Sequence, residues 1–341
     1  MHRQIASRIE EGRFVSVRGV DQWITIRGED RGNPAILILP GPGAGMCALA
    51  PVFAPWEHAF TLVQWDQPCA GVTCTRHSGN GPGEFSIARL VRDGLTVSEW
   101  VSRQLGGPIA LLAFSAGTIV GLHMIKQRPE LFSAYIATGQ ITNWARQDAL
   151  SYKMLLEQAR QRDDSAAVAE LEAIGPPPYA DTATDAIKSK YVYTAAESTA
   201  FAALSPAVLS SVTDPPADAS FVPATLRPHK DARAVAMAAY DALRVEIVSF
   251  DAERLGLEFS VPMIFLQGEL DACTVSSEVE SYAAGIRAPY KTYVPVADAG
   301  HSPWMMRDRY LELLQEHVRP ILTGKEQSHA TERQFARPID S

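Results

Sequence analysis

Apolar runs of strand length recur along the chain, and each stops at a residue that can turn or react. Residues 35–39 run into Pro40, 61–65 into Asp66, 108–114 into Ser115 and 134–138 into Gly139. These runs are continuous rather than alternating, as in parallel strands covered on both faces. Ahead of them, residues 14–20 and 22–27 read as two more strands, and Gly32, Asn33 and Pro34 supply turn chemistry before the first buried run. Between the second and third runs, Ile87, Leu90, Val91, Leu95, Val97, Trp100 and Val101 fall mostly three and four apart, which predicts a helix over 85–104 with one face on a sheet. Strand and helix in alternation predict an α/β protein with a doubly wound, mostly parallel sheet.

The texture changes after residue 140. Ala-, Glu- and Arg-rich windows at 144–160, 165–174 and 231–250 read as helices, with room for a short strand, and Pro176-Pro177-Pro178 and Pro215-Pro216 separate them. Strand patterns resume at 261–267 and 291–296, and a closing helix is predicted over 303–322. The expected organisation is a first part of the core over 1–140, a helical cap over 141–255, a second part of the core over 256–323 and a polar tail over 324–341.

With 341 residues and 46% hydrophobic content, the chain can bury a large core and an insertion without disulfides or metals. A net charge of -8 leaves no basic footprint for nucleic acid or an anionic membrane surface, so the expected partner is a small-molecule or short-peptide substrate. The longest apolar stretches fall short of the roughly 20 residues that span a bilayer. Residues 1–12 carry Arg3, Arg8, Glu10 and Glu11 and no apolar stretch of a signal peptide, so a cytoplasmic protein is expected. Cys47, Cys69, Cys74 and Cys273 have no zinc-type spacing and are expected as free thiols. No glycine-rich phosphate loop of the Walker or dinucleotide type follows a strand, and no cofactor or metal is expected.

The third buried run ends in Ala113-Phe114-Ser115-Ala116-Gly117, and a helical pattern follows over 118–127. A strand running straight into a serine and then a helix is the setting of a nucleophile elbow, a strained turn whose neighbours two before and two after must be small. Ala113 and Gly117 meet that demand. The same pattern alone also fits a strand end followed by a helix N-cap serine. Two later strand ends favour the reactive reading, because Gly268-Glu269-Leu270-Asp271 follows one and Gly300-His301-Ser302 the other. A serine hydroxyl needs a histidine to take its proton, and the histidine needs a carboxylate to fix its tautomer. Ser115, Asp271 and His301 occur in that chain order, with Glu269 and Asp298 as alternative acids. Of the other histidines (His2, His58, His77, His123, His229, His317, His329), His77 alone is a candidate pocket residue.

Acyl transfer also requires backbone N–H groups aimed at the developing oxyanion. Ala116 follows the serine and supplies one. In the loop Pro40-Gly41-Pro42-Gly43-Ala44-Gly45 the prolines have no N–H, which makes Gly41 the candidate for the other. Together, Pro40-Gly41-Pro42-Gly43, Trp65-Asp66-Gln67, Ser115-Ala116-Gly117, the Gly268–Asp271 turn and Gly300-His301-Ser302 resemble the proline iminopeptidase branch of the α/β-hydrolases. The resemblance covers roughly residues 20–140 and 256–320 and implies the α/β-hydrolase fold, a catalytic triad and a helical cap. It departs where Leu39-Pro40 stands for His-Gly, Pro68-Cys69 for Arg-Gly and Ala116 for Trp. Cap glutamates of that branch bind the substrate's α-amino group. Here Glu157, Glu170, Glu172 and Glu197 fall in the cap region, on helices whose composition predicts that they face water. The expected activity is hydrolysis of a small ester or amide through an acyl-serine, with Trp144, Tyr191 and Trp304 as candidate pocket walls. A lyase or cofactor-free oxidative reaction on the same scaffold, and a binding protein without catalysis, are the competing readings.

Overall fold

The computed structural model describes residues 8–77, 85–179, 181–192, 195–204, 219–226 and 232–324. Pro215, Pro216, His2, His229, His329 and the tail beyond Gly324 lie outside them. Eight strands form one sheet: β1 (Ile9–Val17), β2 (Val20–Gly28), β3 (Ala35–Leu39), β4 (Thr61–Asp66), β5 (Ile109–Phe114), β6 (Phe132–Thr138), β7 (Met263–Gly268) and β8 (Lys291–Val296). Their order across the sheet is β1-β2-β4-β3-β5-β6-β7-β8. β1 and β2 are a hairpin, β2 lies antiparallel to β4, and all pairs from β4 to β8 are parallel.

The continuous apolar runs are the central strands. Every residue of β5 is buried, and alternate residues go to opposite faces. Leu37, Leu39, Leu111 and Ala113 face one cluster with helices Ile87–Leu105, Gly117–Gln127 and Ser276–Gly285. Ile36, Ile38, Ala110 and Leu112 face the other, with Phe53, Trp56 and Tyr310. A sheet covered on both sides in this way is doubly wound.

Three boundaries differ from the sequence reading for identifiable reasons. The first strand ends at Val17, because Arg18 and Gly19 take positive φ (51° and 84°) and close a two-residue hairpin turn. It also begins at Ile9, five residues ahead of the run 14–20 read as the first strand. The closing helix is broken into Pro303–Met305, Arg307–Leu313, a π turn over Leu314–Val318 and Arg319–Leu322. Pro320 has no N–H to give back to the preceding turn, and a wider turn absorbs the gap.

The insertion between β6 and β7 is helical throughout its described residues, with Trp144–Gln161, Ser165–Ile174, Thr182–Ser189, Ala195–Ala202 and Ala232–Val248. No strand of the sheet falls there among the described residues. Its two ends are laced together: Asn143 bridges Asp251, Trp144 N–H donates to Phe250 O (3.2 Å) and Ala252 N–H donates to Thr142 O. Leu243 and Ile247 pack into the core cluster. A second attachment is on the N-terminal hairpin, where Trp23 Nε1 donates to Phe221 O (2.9 Å) and Arg27 donates to Ser220 Oγ (2.8 Å). Gly12 makes room for it, since a Cβ there would lie 2.0 Å from Ser220 O. No helix among the described residues is long and apolar enough to cross a membrane.

Because Leu111 is wholly buried at the centre of the sheet, Leu111→Ala should cost about 2–5 kcal/mol of unfolding free energy. Equilibrium denaturation measures it, and a loss under about 1 kcal/mol would deny β5 its central place.

Candidate active site

β5 delivers Ser115 to the carboxyl edge of the sheet in a left-handed backbone conformation, φ 51°. A non-glycine residue pays roughly 1–2 kcal/mol for that geometry, so the turn must be held from outside. Ser115 N–H donates to Thr138 O (3.0 Å), and its own carbonyl accepts the Thr118 N–H (2.8 Å) and hydroxyl (2.6 Å). At Gly117 a Cβ would stand 2.5 Å from the carbonyl oxygens of both Leu39 and Pro40, so the position admits no side chain. Ala113 is accommodated by a second glycine: a Cβ on Gly121 would sit 3.2 Å from the Ala113 methyl, and none is there.

His301 comes from the loop after β8, and Asp271 from the turn after β7. Gly268 lets those two loops touch, because a Cβ on it would meet Gly300 O at 2.0 Å. Leu270 N–H donates to Ala299 O (2.9 Å) and fastens them. The ring bridges the other two groups: Nε2 is 2.9 Å from Ser115 Oγ, and Nδ1 is 3.1 Å from Asp271 Oδ2 and 3.3 Å from Oδ1. Asp298 and Glu269, the alternative acids, are exposed, and the carboxylate that faces the ring is Asp271. Gly139 (φ 63°) presents its bare α-carbon to the imidazole, since a Cβ would be 2.9 Å from His301 Cε1.

Asp271 is buried yet richly solvated by the protein. Oδ1 accepts the N–H groups of Cys273 (2.7 Å) and Thr274 (2.9 Å), and Oδ2 accepts from Gln267 Nε2 (2.8 Å) and the Thr274 hydroxyl (2.6 Å). Burial alone would raise its pKa, but the His301 charge and these donors hold it below the usual carboxylate value. Burial would likewise lower the His301 pKa, and the Cys273 sulfur and Asp271 carboxylate beside the ring outweigh it and raise the imidazole well above its usual value. Nδ1–H donating to Asp271 leaves Nε2 as the acceptor toward the Ser115 hydroxyl.

Gly41 lies against Ala116, with a Cβ on the glycine 3.8 Å from the alanine methyl. Among the described residues no hydrogen-bond acceptor is engaged by either amide. Asp66 ties down the far end of the Gly41 loop, accepting N–H groups from Met46 (2.9 Å), Cys47 (3.0 Å) and Val72 (2.8 Å). Burial raises its pKa in spite of those amides. Gln67 Nε2 donates to Pro40 O (3.3 Å).

The candidate pocket walls have three different settings. Trp144 lines a cavity of about 210 Å³ in the insertion together with Pro177, Tyr179, Tyr240 and Arg244. Trp304, just beyond His301, packs its ring 5.9 Å from Phe114 and 5.6 Å from Phe53. Tyr191 donates its hydroxyl to Glu170 on the outside of the insertion (2.9 Å). His77 is turned to the hairpin, with Nε2 2.9 Å from Asp21 O. All four cysteines are free thiols, and no group of three or more His, Cys, Asp or Glu among the described residues could hold a metal ion. Glu157, Glu170 and Glu172 are exposed, but Glu197 is 0% exposed, against the expectation that the insertion's glutamates face water. Gln267, Gly139 and Thr274 carry little signal in the sequence beyond a polar residue closing an apolar strand and a glycine after another.

No protein-family model matches the chain. Over 168 residues it is 27% identical to the Probable aminopeptidase YbaC of Bacillus subtilis (strain 168), a match that takes in 48% of this chain and 52% of that protein. The chain thus spans about half the length of the curated relative it matches. The proline iminopeptidase-related protein of Thermus thermophilus superposes with a TM-score of 0.60 at 18% identity, over 92% of this chain and 99% of that one. The α/β-hydrolase enzyme MGS-M2 from a Medee basin deep-sea metagenome library gives 0.57 at 12% identity, over 96% and 100%. The chain has the α/β-hydrolase fold.

Gly117→Ala should push the β3 loop off the Ser115 turn. A displacement of about 1 Å at such a centre costs on the order of 10² in kcat, to be read with the far-ultraviolet circular dichroism unchanged. Full activity in a folded variant would show that the close approach at Gly117 does not set the site.

Proposed function

We propose that this chain is a serine hydrolase that cleaves a small ester or amide through an acyl-Ser115 intermediate. The observation that carries the reading is the unbroken contact from Asp271 through His301 to Ser115 Oγ, in a strained turn beside two amides that engage no acceptor among the described residues. Ser115 Oγ attacks the substrate carbonyl carbon while His301 Nε2 takes the hydroxyl proton. The oxyanion that forms is held by the Gly41 and Ala116 N–H groups. Collapse breaks the bond to the leaving group, which receives the proton from the imidazolium. A water molecule, deprotonated by the same nitrogen, then attacks the acyl carbon and releases Ser115. Asp271 keeps Nδ1 protonated and stabilises the imidazolium in both halves.

The helical insertion over 141–255 serves as the cap in this reading, with Trp304, packed against Phe114, as a source of apolar contact for substrate; no triad residue lines the Trp144 cavity. One observation favours the narrower activity of an aminopeptidase, the buried Glu197 in a chain similar to a probable aminopeptidase. An acid withdrawn from water can read an ammonium group in a way that an exposed one cannot.

Replacing Ser115 with alanine should leave the fold intact and lower kcat on p-nitrophenyl esters by on the order of 10⁶. A loss smaller than about tenfold would remove Ser115 from the mechanism.

The neutral ring is the base, and the Cys273 sulfur and Asp271 carboxylate together outweigh burial and raise its proton affinity, so kcat/KM should fall as pH drops through a value above the ordinary histidine pKa of about 6.5. Asp271→Asn removes that charge, so the acid limb should move to lower pH while kcat drops by about 10⁴. A flat kcat/KM profile between about pH 5 and 9 contradicts the assignment.

A further inference from the structure

We infer that Glu197 is a positioning residue for His301, a carboxyl group carried by the insertion that fixes the histidine loop from above. The inference rests on the reading of Ser115 and His301 as nucleophile and base. Glu197 belongs to the helix Ala195–Ala202 and is fully buried. Its Oε1 accepts the backbone N–H of Ser302, the residue that follows His301.

The histidine loop is held unevenly without that contact. Its upstream half is fastened to the core by Ala299 O, which accepts Leu270 N–H (2.9 Å), and by Gly268 packing against Gly300. Downstream, Ser302 O accepts Met305 N–H (2.9 Å), which orders the next turn but not the peptide that joins His301 to Ser302. That peptide is planar, so fixing the Ser302 N–H fixes the His301 carbonyl and with it the backbone from which the ring projects. Leu204, just beyond the same helix, is buried in the cluster that contains Phe114 and against which Trp304 packs, so the segment that carries Glu197 is seated on the core beside the site. The insertion therefore completes the site by holding its base, in addition to covering it.

This role is distinct from reading a substrate ammonium group, and the two predict different substrate dependence. The test compares Glu197→Ala, Glu197→Gln and Glu197→Asp in the full chain with a p-nitrophenyl acyl ester, prolyl-naphthylamide and its N-acetylated analogue. For Glu197→Ala the expected result is a loss in kcat on the order of 10² on all three substrates, with KM changed by less than about threefold. Glu197→Gln, whose amide oxygen can accept the same N–H, should recover most of that loss. Glu197→Asp, which withdraws the acceptor by one methylene, should not. A loss confined to the free-amine substrate, or ester turnover within about threefold of wild type in the alanine and aspartate variants, overturns the inference.

A measurement independent of turnover separates this from failure of the hydrolase reading. In a Ser115→Ala background, the His301 ring resonances and their titration should change when Glu197→Ala is added. An unchanged titration curve overturns the inference even if the enzyme proves to be a serine hydrolase. Activity persisting in Ser115→Ala defeats the hydrolase reading while leaving this measurement valid.

Discussion

The backbone of the Ser115 turn comes so close to the end of β3 that no side chain fits between them at Gly117, and the site depends on that approach. The helix after Ser115 reaches the Leu39 and Pro40 carbonyls only because Gly117 has no side chain. The same approach sets Gly41 beside Ala116, the pair whose N–H groups the proposed mechanism assigns to the oxyanion. The left-handed conformation of Ser115 turns its hydroxyl out of the sheet and toward His301, and the Thr138 and Thr118 contacts offset the strain.

Sheet order does the rest of the assembly. β5, β6, β7 and β8 are neighbours in that sequence, so the serine, Gly139, the acid and the histidine emerge along one edge within reach of each other. Asp271 can remain ionised there because four donors replace the water it has lost. The insertion leaves the core between β6 and β7, above the same edge, and is anchored both at its laced ends and on the N-terminal hairpin. An element fastened so firmly is suited to hold a loop in place, which Glu197 is positioned to do.

The core fold was legible because buried parallel strands write themselves as unbroken apolar runs, and five strand ends carried the residues that matter. Ser115, Asp271 and His301 could be ranked from type, order and strand-end position alone. Glycines that work by omission were harder to read. Gly121 answers Ala113 across the strand-to-helix turn, and Gly139 clears the imidazole of a residue far along the chain, yet neither role shows without coordinates because each is set by how the elements pack. Glu197 was misjudged for a related reason: its short, Ala-rich helix has no apolar stripe to mark its buried face, and here that face is set by contact with the histidine loop rather than by the helix's own pattern. The break in the closing helix was missed although Pro320 was in plain view, since a π turn can carry a proline through a helical pattern.

The central claim is that Ser115 is a nucleophile activated by His301. Incubation with a fluorophosphonate, followed by intact-mass and peptide mass spectrometry, tests it most directly. The account predicts one covalent adduct per chain, on the peptide containing Ser115, lost in His301→Ala. An unlabelled protein, or an adduct on another residue that survives Ser115→Ala, would contradict it.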